Sequence, residues 1–180
     1  MKKFILLCLV AFVSMTSYAQ FYVGGTLGTA YGKTKAGGES VKQFVFMMQP
    51  ELGYNIDNTL AVGASLGFGY GDNDDDTSTV LGISPYIRAT FAQVKSVKFF
   101  AEGALFLNHT KDEVFDGDYS YNTYGGAVRP GFLVDMGSNI QLVGKATLFQ
   151  YARVDDDDID VKTWTIGIPN EFTIGLLVNF

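Results

Sequence analysis

The chain has 180 residues, 47% of them hydrophobic and 14% aromatic, with 19 acidic against 13 basic side chains and a formal net charge of −6. That length allows one sizeable domain, and the acidic balance argues against nucleic acid or an anionic membrane surface as an electrostatic partner. A single cysteine, Cys8, leaves no disulfide or thiol chemistry for the chain that follows it.

In chain order, the first element is an export signal over residues 1–19. Lys2 and Lys3 precede an apolar run from Phe4 to Val13, and Ser17-Tyr18-Ala19 places small residues where a signal peptidase reads them. The run is shorter than the roughly 20 residues a spanning helix needs. The expected mature domain is therefore 20–180, and losing the two lysines takes its formal charge from −6 to −8.

What recurs after Gln20 is alternation with a period of two, the signature of strands. Eight strands are predicted, over residues 21–32, 44–56, 59–71, 79–92, 97–110, 122–135, 140–153 and 163–180. The connections alternate between tight turns ("IDNT", "QVKS", "MGSN") and longer polar loops ("KTKAGGESVKQ", "DNDDDTS", "KDEVFDGDYSY", "VDDDDIDV"). An even strand count, short turns on one side and long loops on the other predict an all-β fold: an eight-stranded antiparallel up-and-down transmembrane β-barrel, with both termini on the periplasmic side.

Charges test this reading, because a charge facing lipid at mid-depth costs about 2–4 kcal/mol. Glu51 falls opposite the phase of Phe46, Met48 and Leu52. Arg88 falls opposite Leu81, Ile83 and Ile87, and Glu102 opposite Phe99, Ala101 and Leu105. Arg129, Lys145 and Glu171 likewise oppose apolar rows, so all six charges point inward. An eight-stranded interior is filled by side chains, and buried charges need partners. The six are expected to form a hydrogen-bonded plug in which Glu102 touches Arg88 or Arg129.

Inward Gly24, Gly28, Gly63, Gly67, Gly69, Gly125 and Gly131, with Gly103 if the fifth strand slips in register, would make room for those side chains. Pro50, Pro85, Pro130 and Pro169 cannot donate to a ladder, so a bulge is expected at some of them. Aromatic residues would ring both interfaces: Phe21, Tyr54, Phe91, Phe99 and Phe180 on the inner side, Tyr31, Phe44, Tyr70, Tyr124 and Trp164 on the outer.

The leader, the eight alternating strands, the stretch "PELGYNIDNTLAVGASLGFGYG" and the terminal row Phe172, Ile174, Leu176, Val178, Phe180 together resemble the small outer-membrane β-barrel proteins of Gram-negative bacteria, of the OmpA transmembrane-domain or OmpX kind. The resemblance spans Gln20 to Phe180. It implies residence in the outer membrane among its lipids and lipopolysaccharide, and recognition of the terminal aromatic row by the outer-membrane assembly machinery.

No catalytic set emerges. His109 is the one histidine, in "LNHTKDE", and a lipid-modifying barrel enzyme would need a serine beside it, where Thr110 stands. Asp72, Asp74 and Asp76 match the first three positions of a calcium loop, but Thr77 replaces its glycine and Ile83 its glutamate. With Asp155 and Asp157 they are candidates only for loose association of a divalent cation, and no cofactor is expected. The reading is a non-enzymatic barrel, a monomer by default, whose outer loops serve adhesion, binding of an extracellular ligand or host surface, or envelope integrity. The alternatives are a narrow pore gated by the internal charges and a lipid-modifying enzyme.

Overall fold

The computed structural model describes residues 20–36, 39–73, 76–114, 117–137, 139–156, 159–166 and 172–180, with side chains described over 20–29, 46–71, 77–112, 120–137, 139–154 and 172–180. Six long strands come first: β1 (Phe21–Ala36), β2 (Glu39–Asn55), β3 (Leu60–Asn73), β4 (Asp76–Val94), β5 (Val97–Val114) and β6 (Gly117–Asp135). Four shorter ones follow: β7 (Ile140–Ala146), β8 (Phe149–Asp156), β9 (Ile159–Ile166) and β10 (Phe172–Asn179).

Each of β1 to β5 pairs antiparallel with the next, and β6 pairs with β5. On its other side β6 meets β7 over Gly131 to Asp135 and β8 over Asn122 to Val128, so β7 and β8 are two halves of the seventh barrel strand. β9 pairs with β8, and β10 lies between β7 and β1 as the inner part of the eighth. Contact of β10 with β1, from Tyr22↔Asn179 to Gly28↔Thr173, closes an eight-stranded antiparallel barrel. All backbone groups of such a closed sheet find partners without water.

Side-chain phase follows the charge test. Leu81, Ile83, Ile87, Leu105 and Leu107 lie exposed on the outer wall, while Ser84, Tyr86, Arg88, Glu102 and Ala104 between them are buried. Gly103 is exposed and faces outward with Leu105, so the fifth strand does not slip there. The slip in that pair of strands occurs lower, as a register shift between Thr90 and Ala92 opposite Phe99 and Phe100.

The prolines act as their missing N–H dictates. Ladder pairing skips Gln49-Pro50 and Ser84-Pro85 without loss of register. Opposite Pro85, the Leu105 carbonyl accepts instead from Ser84 Oγ at 2.8 Å. At Pro130 the register itself changes: Gly131 pairs with Lys145 but Val128 with Phe149, leaving an extra residue on the seventh strand where β7 gives way to β8. That bulge turns Phe149, Tyr151 and Arg153 onto the outer wall. Pro169 lies outside the described residues.

The outer connections differ from the long loops expected. Pairing continues to Ala36↔Glu39, Asn73↔Asp76, Val114↔Gly117 and Asp156↔Ile159, so the polar stretches are largely strand-paired hairpins. Ladder bonds are made by backbone, and beyond the bilayer both faces of a ribbon meet water. Apolar alternation therefore stops before the strands do. On the inner side, the Asp57 carboxylate accepts from Thr59 N and Oγ1 at 2.7 Å each and from Leu60 N at 2.8 Å, fixing the β2–β3 turn.

Candidate functional site

Five of the six inward charges meet in the barrel centre. Glu102 of β5 is fully buried, and Arg88 of β4, its partner on the same rung, reaches its Oε2 with Nε at 3.3 Å and a terminal nitrogen at 2.9 Å. The same terminal nitrogen donates to Glu51 Oε1 at 3.1 Å. Lys145 Nζ donates to Glu51 Oε2 at 2.9 Å and lies 3.6 Å from Glu102 Oε1. Arg129, the least buried of the set, lies 3.4 Å from Glu102 Oε1 and 3.5 Å from Ser84 Oγ. Both carboxylates thus bridge cations from different strands, which ties β2, β4, β5, β6 and β7 together across the lumen. Glu171 lies outside the described residues.

The five described charges are three cations and two carboxylates. The excess positive charge is met by aromatic faces, which carry negative electrostatic potential. The Arg88 guanidinium carbon lies 4.6 Å from the ring centre of Phe100, 5.0 Å from Tyr86 and 5.6 Å from Tyr22, and Lys145 Nζ lies 5.6 Å from Tyr86. The two tyrosine hydroxyls join at 2.8 Å. Glycines admit these rings: a Cβ on Gly53 would strike the Tyr22 ring, and one on Gly63 would come within 2.6 Å of Tyr86. Sequence reasoning singled out the charges but missed Tyr22, Tyr86, Phe100 and Gly53. A signal was present, since Tyr86, Phe100 and Gly53 each lie two residues from a network charge and so share its face.

This cluster divides the lumen. Above it a cavity of about 130 Å³ is lined by Gln49, Ser84, Asn108, Arg129 and Gln150 among others. Below it a space of about 30 Å³ lies between Tyr22, Arg88, Leu133 and the β2–β3 turn. Between the two sit Glu51, Arg88, Glu102, Lys145, Phe100 and Tyr86, each no more than 4% exposed.

Other candidate residues lie apart from this cluster. His109 is exposed on the outer wall, and its Nδ1 is 2.9 Å from Asn122 Oδ1. Among the described residues no three His, Cys, Asp or Glu side chains gather as metal ligands. Asp74 and Asp157 lie outside the described residues, as do the side chains of Asp72, Asp76 and Asp155. Phe172, Ile174, Leu176, Val178 and Phe180 form one exposed row, and Phe180 N donates to Phe21 O at 2.9 Å.

A closed antiparallel barrel with an apolar outer wall and charged side chains buried inside defines a transmembrane β-barrel protein. The family model described as outer membrane protein beta-barrel domain matches residues 4–172, and the chain belongs to that family. Its location is accordingly the outer membrane. No curated protein matches the chain in sequence. Among solved structures it is similar to Neisserial surface protein A, at 21% identity and a TM-score of 0.56, with 89% of this chain and 97% of that one covered. It is also similar to the N-terminal β-barrel domain of Pseudomonas aeruginosa OprF, at 10% identity and a TM-score of 0.56, with coverage of 89% and 98%. The β domain of the Bordetella autotransporter BrkA aligns at 14% identity and a TM-score of 0.53, covering 81% of this chain and 65% of that one. At these identities the likeness is one of fold.

Proposed function

We propose that the protein is a non-enzymatic anchor in the outer membrane, whose plugged barrel holds four outer hairpins for adhesion, surface binding or envelope integrity. The observation that carries this reading is the buried network of Glu51, Arg88, Glu102 and Lys145, with Arg129 on its outer flank, packed in an aromatic cage across the lumen. A barrel filled in this way spends its interior on rigidity. The hairpins are the part left to vary and to meet a partner. In this reading residues 1–19 are removed on export, and the Phe172 to Phe180 row serves the assembly machinery.

Single-channel recording on the refolded chain in a planar bilayer, with boiled protein as control, tests the proposal. A sealed lumen gives no steps above leak. Reproducible steps that change in Arg129→Ala or Glu102→Ala would replace it with a narrow pore gated by these charges.

A further inference from the structure

The upper cavity of the lumen owes its space to two glycines. Gly67 of β3 and Gly82 of β4 pair on one rung and both fall in the inward phase, so that rung brings no side chain to the lumen. Asn108 takes up the room over Gly82, where a Cβ would strike its Oδ1, but a Cβ at Gly67 would find no atom nearer than 4.0 Å. The result is a cavity of about 130 Å³, with Gln49, Ser65, Ser84, Asn108, Arg129 and Gln150 as its polar lining. That is space for roughly four waters at about 30 Å³ each. No carboxylate of the described residues lines it. Gln49 Oε1 accepts from Thr26 Oγ1 at 3.5 Å, which leaves the Gln49 amide nitrogen to donate.

Arg129 is the network cation with donors to spare. A guanidinium carries five N–H groups in a planar fork. Among the described residues Arg129 uses one terminal nitrogen, at 3.4 Å from Glu102 Oε1 and 3.5 Å from Ser84 Oγ, while its Nε and other terminal nitrogen make no hydrogen bond. Both contacts are longer than the usual range of about 2.7–3.2 Å. Arg88, by contrast, makes three hydrogen bonds and lies against three aromatic rings. Glu102 is already shared with Arg88 and Lys145, and Glu51 with the same two cations. Three cations against two carboxylates leave one positive charge of the described network unmatched, and Arg129 is where it borders open space.

We propose that this cavity binds one small monovalent oxyanion, a carboxylate of formate or acetate size, held by the free donors of Arg129 and by the amides of Gln49 and Gln150. A planar carboxylate meets a guanidinium fork with two parallel charge-assisted bonds. Its single charge equals the single excess. The network lies below the cavity, so the anion arrives from the outer mouth. Asp112 is the acid with a described side chain on that route, in the inward phase four residues beyond Asn108 on β5. At about 3.4 Å per residue and a tilt of about 40°, it stands about 10 Å farther out. The site does not rest on the barrel being an anchor, since an anion can bind here whether or not the lumen conducts.

The test reads the side-chain Nε–Hε signals of Arg88, Arg129 and Arg153, the three arginines of the chain, by heteronuclear NMR of the refolded mature protein in detergent. Each signal is assigned by its Arg→Lys variant. Sodium chloride is replaced stepwise by sodium acetate, formate or sulfate at constant ionic strength. The expected result is a saturable shift of the Arg129 signal with acetate and formate, and no matching shift of Arg88 or Arg153. Gly67→Val fills the open space, and Gln150→Leu removes an amide at nearly constant size. Each should weaken acetate binding at least fivefold, with a heat-modifiable gel shift showing that the barrel is folded. Absence of a saturable shift in the wild type, or an unchanged dissociation constant in either folded variant, would overturn the site. Sulfate binding as tightly as acetate would overturn the match of single charges. Binding in Glu171→Gln but not in the wild type would also overturn it, because a carboxylate of the chain itself would then hold the place.

Discussion

Arg88 and Glu102 are register partners on adjacent strands, and their side chains meet twice at one carboxylate oxygen, at 3.3 and 2.9 Å. Because Glu102 also lies against Lys145 and Arg129, it is the shared counter-ion of three cations. Replacing it with glutamine leaves Glu51, paired with Arg88 and Lys145, as the one carboxylate of the network among the described residues. Breaking a buried pair by removing one partner costs about 3–5 kcal/mol, since an uncompensated charge stays behind. Glu102→Gln should lower stability by that amount in urea unfolding in lipid vesicles. Arg129→Ala should cost less, about 1–2 kcal/mol, because Arg129 borders the upper cavity and its removal leaves Glu102 paired with Arg88 and Lys145. Equal losses would place the weight of the network elsewhere.

The glycines make a second, opposed pair of predictions. A methyl at Gly53 would collide with the Tyr22 ring, which is pinned between Arg88 and the Tyr86 hydroxyl. Overpacking of this kind costs about 1–3 kcal/mol, so Gly53→Ala should lower the temperature of the heat-modifiable gel shift. At Gly103 the same methyl meets open space, and Gly103→Ala should stay within about 0.5 kcal/mol of the parent. A tolerated Gly53→Ala would mean that the tyrosine pair can move aside.

These contrasts mark what was legible in the sequence. Inward and outward phase could be read wherever one face was apolar, because a period of two assigns every side chain once a single charge is placed. Strand ends could not, since the outer hairpins continue on backbone pairing after the apolar signal stops. That Pro130 lacks a donor was plain, but the extra residue that answers it sits on another strand, near Thr147 and Leu148. The consequence, a β8 turned so that Phe149 and Tyr151 lie on the outer wall, depends on which strand gives way. The aromatic cage was half visible: Tyr86 and Phe100 share the face of the charges, but that both rings stack on Arg88 follows from barrel geometry.

Asp57 is predicted to titrate low. Its fully exposed carboxylate accepts three short hydrogen bonds from Thr59 and Leu60, and these hold its pKa below the ordinary aspartate value of 3.8. A carboxyl whose folded pKa is depressed adds stability that is complete above its unfolded pKa and is lost as pH falls through the folded one. The turn should therefore be intact above pH about 4 and loosen only in more acidic solution. Carbon-detected NMR of the Asp57 carboxyl in detergent should give a midpoint below that of free aspartate, and Thr59→Ala should move it upward. An unshifted midpoint would mean that water has replaced the turn bonds.

The last prediction separates two uses of the terminal row. Phe180 sits 59% exposed at the inner rim, and its amide donates to Phe21 O next to the first rung that joins β10 to β1. Phe180→Ala keeps that backbone bond and gives up only apolar area already facing lipid. Spontaneous refolding into detergent should therefore proceed to the parent's yield, with a stability loss of about 1 kcal/mol or less. If the row is read by the assembly machinery, insertion in cells should instead fall severalfold, measured as the heat-modifiable fraction in isolated outer membranes. Parallel losses in detergent and in cells would make Phe180 a packing residue of the barrel seam. Unchanged insertion in cells would remove the recognition role from this residue.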